Sequence, residues 1–257
     1  MEPDVSLSLD AQTWLYIGSP ALFTMLLAIL FYGRRRTEDE EDHLYVRAIV
    51  CAIAGTMYLA MATGIAAVTL ETGRIYDFGR YLDWSFTTPL LLYGLGLTAM
   101  HGSISRKGVM VAILGFDVLM IGTCLALGFL PNSQQGLKIL WWVLGDVFFL
   151  GVLYLVWTTL KTESEKRGPV VARIFKRNAG ILTVLWSIYA VAILLGHNAL
   201  GWWSQATNAG VIVFLDVTAK GMYGLLSVKG TQEIVEAERN SQVRQPSSAD
   251  AGVPHRA

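Results

Sequence analysis

Charge is scarce in this chain. Asp, Glu, Lys and Arg make up 16% of 257 residues, against roughly 25% in an average soluble domain. With 53% of the residues hydrophobic, that scarcity argues against an ordinary cytosolic enzyme. Neither sign of charge is in excess: 20 basic and 20 acidic residues cancel. The chain therefore has no bulk basic field to hold a phosphate backbone, and nucleic acid is excluded as a partner. Cysteine is limited to Cys51 and Cys124, both inside long apolar runs and without a Cys-x-x-Cys spacing, which leaves no basis for a disulfide framework or a thiolate metal site. The four histidines, His43, His101, His197 and His255, sit at loops or ends without i, i+4 ligand spacing, so no metal is implied.

Long apolar runs, by contrast, are plentiful. They lie at about Trp14 to Tyr32, Leu44 to Leu70, Tyr81 to Met100, Val109 to Leu130, Leu137 to Leu160, Ala179 to Leu200 and Ala209 to Val228. Each is near the ~20 residues that cross a bilayer as a helix. Hydrocarbon offers no backbone partners, and the runs are too long for barrel strands, so each must close its own hydrogen bonds as a helix. Gly33-Arg34-Arg35-Arg36, Pro131-Asn132-Ser133 and Lys166-Arg167-Gly168-Pro169 punctuate them as turns. The fold predicted is an all-α integral membrane protein, a seven-transmembrane-helix bundle and multi-pass protein of the plasma membrane, surrounded by the lipid bilayer.

Cations set its orientation. The first connection carries Arg34, Arg35, Arg36 and, at its far end, Arg47; the third carries Arg106 and Lys107; the fifth carries Lys161, Lys166, Arg167, Arg173, Lys176 and Arg177. The second, fourth and sixth offer Arg74, Lys138 and little else. The cation-rich connections face the cytoplasm, which puts the N-terminus outside and the C-terminus in the cytoplasm. The start, Met1-Glu2-Pro3-Asp4-Val5, has no basic region ahead of its apolar run, so the first span is expected as a retained helix rather than a cleaved signal. Residues 1–230 form the membrane domain on this reading. Residues 231–257, polar and closing on Val-Pro-His-Arg-Ala, are expected as a disordered cytoplasmic tail.

Ionisable residues inside the spans cost at least about 2.5 to 3.5 kcal/mol each on the insertion scale. In the third span, i, i+3 and i, i+4 steps join Arg80 to Asp83 and Asp83 to Thr87, giving the helix one polar face. In the seventh, an i, i+4 step joins Asp216 to Lys220, which lies mid-span and too deep to snorkel. Any single acid of this kind can be half of a structural ion pair. One Lys, one Arg and two acids together form a quartet that must face the bundle interior, where apolar residues would pack at less cost. A mid-membrane Lys beside carboxylates supports two roles: a permanent salt bridge in an ion path, or an amine that condenses with an aldehyde. Trp84, Trp142, Trp186 and Tyr189 lie at depths where an interfacial belt would not place them, and could wall a long, flat apolar ligand or simply pack the core.

These residues stand in recognisable runs. Arg80-Tyr81-Leu82-Asp83-Trp84-Ser85-Phe86-Thr87-Thr88-Pro89-Leu90-Leu91-Leu92, Leu185-Trp186-Ser187-Ile188-Tyr189 and Leu215-Asp216-Val217-Thr218-Ala219-Lys220 resemble helices three, six and seven of the microbial rhodopsins of the bacteriorhodopsin-like family. Thr56-Met57-Tyr58-Leu59, Asp117 with Met120-Ile121-Gly122-Thr123, and Trp141-Trp142 extend the resemblance over the whole helical region. It implies all-trans retinal on Lys220 as a protonated Schiff base, with Asp83 and Asp216 as counterions and Arg80 balancing them. It also implies a pocket of Trp84, Thr88, Leu91, Met120, Cys124, Trp142, Gly145, Trp186 and Tyr189, with Thr87 bonding near Asp83 and Asp117 packing towards Thr88. The implied activity is light-driven outward proton translocation with Asp83 as acceptor, a transport function rather than an enzyme's. Chloride pumps of the family lack that acid, and its sodium pumps carry an Asn-Asp-Gln pattern; Asp83, Thr87 and Gly94 fit neither. Trimers or pentamers of the chain are the assemblies the family suggests.

The sequence also departs from the pattern. Gly94 stands where such pumps have an acid that returns a proton from the cytoplasm, and Arg47 falls where that donor's partner sits. Reprotonation is then expected from the cytosol through water, slowly. Asn198 and Asn208 replace the acids of the release group, so release is expected late, from Asp83. His197 is adjacent to that region, Asp146 is a further buried acid without an evident partner, and Ala190 and Ile193 replace a proline and an aromatic. Gly145 removes a hydroxyl from the ring end. Two other readings stay open: a slow-cycling photosensor, and a retinal-free secondary transporter built on Lys220 and Asp216.

Overall fold

A computed structural model describes residues 5–34, 38–101 and 104–244. The described chain is helical apart from one small hairpin. Its elements are α1 (Val5–Tyr32), α2 (Glu38–Ala62), β1 (Val68–Thr69), β2 (Ile75–Tyr76), α3 (Gly79–Met100), α4 (Lys107–Phe129), α5 (Gln135–Leu155), α6 (Lys161–Lys166), α7 (Pro169–Leu195), α8 (Gln205–Asp216) and α9 (Tyr223–Arg244). Two π-helical turns interrupt without breaking the rods: π1 (Val156–Leu160) joins α5 to α6, and π2 (Val217–Met222) joins α8 to α9. By length and composition, six helical rods are apolar enough to cross a membrane. α3 is not among them, because Arg80, Asp83 and a run of hydroxyl residues dilute its first half.

Successive rods pack side by side, and α1 closes the circle against α8 and π2. α3 runs through the middle, touching α2, α4, α6 and α7. Sixteen of its 22 residues are buried, against eight of 23 in α4. That contrast explains the sequence: the helix that can carry ions is the one shielded from lipid, and the helix apolar all round is the one that faces it. Leu27, Phe31, Val111, Leu140, Leu150, Val184 and Phe214 project outward from the surrounding rods, which suits hydrocarbon and not water.

Three boundaries differ from the sequence expectation. The second apolar run does not stay helical to Leu70: α2 stops at Ala62, Gly64 takes φ +78°, and Val68–Thr69 pairs antiparallel with Ile75–Tyr76. Apolar content alone does not reveal that turn. α7 begins at Pro169, ten residues before the apolar run, because Pro suits a helix's first turn and Lys176 reaches Glu165 at 2.7 Å. The segment from Thr231 is helical to Arg244 rather than disordered. Thr231 and Ile234 are buried, Ile234 packs with Val171 and Ile174, and Glu233 lies 3.5 Å from Arg173. A polar helix is held there by a few apolar anchors and ion pairs to α7. The rest of that tail, 245–257, and Arg35 and Arg36 lie outside the described residues.

The rods alternate in direction, so the connections after α1, α3 and α6 share one end. Ion pairs gather there: Arg106 and Lys166 each lie 2.9 Å from Glu163, and His101 lies 3.0 Å from Glu238. The hairpin marks the opposite end. It is pinned by Arg74, which donates to Asn198 Oδ1 at 2.6 Å and to the carbonyls of Gly128 and Leu130 at 2.6 and 3.0 Å. Lys138 joins it, donating to Asn132 Oδ1 at 2.7 Å and to the Asn198 carbonyl at 2.8 Å.

Candidate functional site

Lys220 sits on π2, where the helix widens by a residue per turn, a distortion frequent at functional positions. The amine points into the bundle and is 2% exposed. It ion-pairs with Asp83 Oδ2 of α3 and lies 2.9 Å from Asp216 Oδ1 of α8. Both carboxylates are fully buried. One cation between two anions leaves a negative charge, and Arg80, 7% exposed, supplies the second cation from the same face of α3. Its surroundings include Tyr58, Asp77, Tyr81 and Asp216, and its Nη1 has no hydrogen-bond partner among the described residues.

The two acids are held differently. Asp216 accepts from Tyr58 Oη at 2.6 Å, Tyr189 Oη at 2.7 Å and Trp84 Nε1 at 3.4 Å. Three donors and an ammonium fix it as a carboxylate. Asp83 Oδ1 has no hydrogen-bond partner among the described residues, and Thr87, a neighbour of the carboxyl, donates to the main-chain carbonyl of Asp83 at 2.8 Å. The less saturated acid is the one freer to take up a proton.

From the amine a cavity extends between α3, α4, α5 and α7, concave and mostly apolar in its lining as small-molecule sites are. Trp84, Trp142 and Trp186 present indole rings to it, with Leu91, Met120 and Phe149 between them. Trp84 meets Tyr189 edge to face at 5.3 Å between ring centres, and Trp142 Nε1 donates to the Ala190 carbonyl at 3.0 Å. These contacts hold Trp84 and Trp142 in place, so the cavity is a preformed, mainly apolar slot with Lys220 and Asp216 at one end and one further carboxylate, Asp146, in its lining.

The structure gathers most residues expected from the sequence. Lys220, Asp216, Trp84, Thr88, Leu91, Met120, Cys124, Trp142, Gly145, Trp186 and Tyr189 line the cavity. Asp83, Thr87, Arg80 and Asp117 do not; Asp83 and Arg80 serve the charged end, while Asp117 stands behind the wall and accepts from Thr88 Oγ1 at 2.8 Å. At Gly145 a Cβ would come within 2.7 Å of Thr123 Oγ1, so the small residue also lets α4 and α5 approach. Asp146, Ala190 and Ile193 line the slot as well. Tyr58 is the residue that sequence reasoning passed over: it lies in a quoted run, and its hydroxyl gave no sign of a partner 158 positions away.

On the far side of Lys220 the geometry changes. Arg47 of α2 is fully buried and occupies the space beside Gly94, where a Cβ would lie 2.6 Å from Arg47 Nη2. Its Nε donates to Ser227 Oγ at 3.2 Å, its Nη1 reaches the Leu91 carbonyl at 3.4 Å, and the guanidinium lies over the Tyr223 ring at 4.9 Å.

Comparison with known proteins agrees with this arrangement. Residues 10–234 match the family described as bacteriorhodopsin-like protein. Bacteriorhodopsin of Halobacterium salinarum is 32% identical over 242 residues, 92% of this chain and 88% of that protein. The thermophilic rhodopsin of Rubrobacter xylanophilus superposes with a TM-score of 0.82 at 32% identity, over 86% of this chain and 96% of that one. The rhodopsin of Coccomyxa subellipsoidea, a light-driven proton pump, superposes with a TM-score of 0.77 at 25% identity, over 86% and 96%. A buried amine between two carboxylates at the end of an indole-walled slot, in a chain with this kinship, makes the protein a multi-pass membrane member of the bacteriorhodopsin-like family of microbial rhodopsins.

Proposed function

We propose that the protein is a light-driven outward proton pump of seven membrane-spanning helices, with the hairpin end and N-terminus outside and the ion-paired end and C-terminus in the cytoplasm. Arg106, Lys166 and Lys176, from the third and fifth connections, lie at the ion-paired end, which supports that orientation. The slot fits retinal: it is mainly apolar, flat-walled and closed at one end by a lysine. All-trans retinal, held covalently at Lys220 Nζ, would supply a light-absorbing polyene and, on illumination, a change in the proton affinity of that nitrogen.

Trp84, Trp142 and Trp186 would line the polyene and keep water from it. Asp216, saturated by Tyr58, Tyr189 and Trp84, remains an anion and stabilises positive charge at Nζ. Asp83 takes the proton, because its Oδ2 already touches the nitrogen and its Oδ1 carries no competing donor. The contact between Lys220 Nζ and Asp83 is the observation that carries this reading. Asn198 and Asn208 hold no releasable proton, so release waits until Asp83 gives its proton up. Return to Nζ comes from the cytosol, past Arg47 and Gly94, without a resident acid beside them.

Illuminating cells that express the protein with added retinal tests the reading. Reversible external acidification abolished by a protonophore is the expected result; no pH change would favour the photosensor, to which slow recovery past Gly94 is also suited. Absence of a visible band after retinal addition would favour the retinal-free transporter instead.

A further inference from the structure

The hairpin side of Lys220 contains a third acid, which the path above does not use. Asp77 lies between β2 and α3, one turn ahead of Arg80, and is half-buried. It lines a small cavity on the hairpin side together with Arg80, His197, Asn198, Gln205 and Asn208. Asp77 is the one carboxylate among the residues lining that cavity. A second small cavity shares Arg80, Asn198 and Asn208 with it and reaches inward to Trp84 and Ile193. Those two also line the slot that holds Lys220 and Asp216. Two cavities with polar residues in their lining thus lie between the Lys220 slot and the hairpin, with Arg80 common to both and Asp77 lining the one nearer the hairpin.

We infer that Asp77 is the exit carboxylate, receiving the proton that leaves Asp83 and passing it to the outside solution; this rests on the pump reading for its direction. Bonds balance at each step. The O–H bond on Asp83 breaks, a proton moves through water admitted to the polar cavities, and an O–H bond forms on Asp77 while Arg80 stays a cation. The Asp77 O–H bond then breaks to bulk, restoring the carboxylate. The alternatives in the cavity are poorer acceptors. Asn198, Gln205 and Asn208 are amides. His197 is held below its usual basicity by burial and by the cations of Arg74 and Lys138. Burial raises the proton affinity of Asp77 and Arg80 opposes it, which suits a group that holds a proton briefly.

Light-induced difference infrared spectroscopy on the full-length, retinal-loaded protein in membranes tests this, paired with a pH-sensitive dye. The expected result is a transient carboxylic C=O band that grows as the Asp83 band decays, is lost in Asp77→Asn and shifts in Asp77→Glu. Dye-detected release slows at least about threefold in Asp77→Asn, with transfer to Asp83 unchanged, and returns to within about twofold of wild type in Asp77→Glu. If Asp77→Asn does not assemble with retinal, the Asp77→Glu band shift decides alone. Unchanged bands and release in the variants would overturn the assignment, even in a protein that pumps. A band assigned to Asp77 in a protein with no net transport would instead retain the assignment and reject the pump.

Discussion

The two halves of the bundle on either side of Lys220 are built from opposite materials. Towards the hairpin stand three acids, Asp77, Asp83 and Asp216, with Arg80 among them and cavities between. Towards the ion-paired end the groups around Arg47 are a hydroxyl, a carbonyl and a phenol ring. Arg47 Nη2 and Tyr223 Oη are buried without hydrogen-bond partners among the described residues. A proton can be stored at a carboxylate and cannot be stored at a guanidinium. On the proposed pump reading, the half towards the hairpin offers carboxylates that can hold a proton, whereas Arg47 offers none on the other side.

The largest effects should come from the junction of the halves. Lys220→Ala removes the attachment point, and the expected outcome is complete loss of the visible band after retinal addition, read by absorption spectroscopy; a band that persists without exogenous amine would refute the linkage. Asp83→Asn should keep the band, displaced in wavelength because a counterion is gone, and abolish light-driven acidification while Asp216, with its three donors, holds the chromophore site together. Transport surviving in Asp83→Asn would move the acceptor role to Asp216.

These junction residues were legible in the sequence because ions in a membrane span are costly and need a reason to be there. Arg80, Asp83, Asp216 and Lys220 stand out from apolar neighbours at helical spacing, and the structure brings them into one cluster. The membrane-spanning character of the chain was legible for the same reason, through runs of residues that water would not tolerate. What stayed hidden depends on position in space rather than on residue type. Tyr58 looks like any aromatic of α2 until α8 is placed beside it, and Asp77 looks like a solvated loop acid until the hairpin folds over the small cavity beside it. Arg47 reads in the sequence as one more cation at the end of the first connection, because nothing local says that Gly94 leaves room for its guanidinium. The π turn at Lys220 and the helical stretch 231–244 were missed because neither is set by local hydrophobicity.

An intermediate effect is expected where the halves can be made alike. Gly94→Asp alone should speed recovery little, since its Cβ would press on Arg47 and the new carboxylate would pair with the guanidinium, leaving no proton to give. Gly94→Asp combined with Arg47→Thr removes that partner, and recovery after a flash should accelerate at least about tenfold. Wild-type recovery should slow as pH rises, by up to about tenfold per unit where cytosolic protons are the donor, and the double variant should lose that dependence. Fast, pH-independent recovery in the wild type between about pH 6 and 9 would reveal an internal donor on the cytoplasmic side. A smaller change should follow Tyr58→Phe, which takes one donor from a buried carboxylate at a cost of about 1.5–3 kcal/mol. Earlier thermal bleaching of the visible band measures it.

The smallest effect separates the titrating groups of the hairpin end from the fixed cations around them. Burial, Arg74 and Lys138 lower the basicity of His197 in the folded protein relative to the unfolded chain. The unfolded chain then binds more protons, and folding stability falls as pH drops through the free imidazole's pKa of about 6.5. Asp77 has the opposite sign: its proton affinity is raised by burial, so the folded form binds more protons and stability falls as pH rises above the free carboxyl's value near 3.9 towards the folded one. Because both groups are partly open to solvent, each contribution stays under about 1 kcal/mol. Midpoints of thermal bleaching taken from pH 5 to 7.5 should dip on the acid side in the wild type. That dip should vanish in His197→Gln, while Arg74→Gln, which removes a cation facing the ring, should make it shallower. A dip unchanged in both variants would place the acid sensitivity with the carboxylates near Lys220 and leave the hairpin end electrostatically inert.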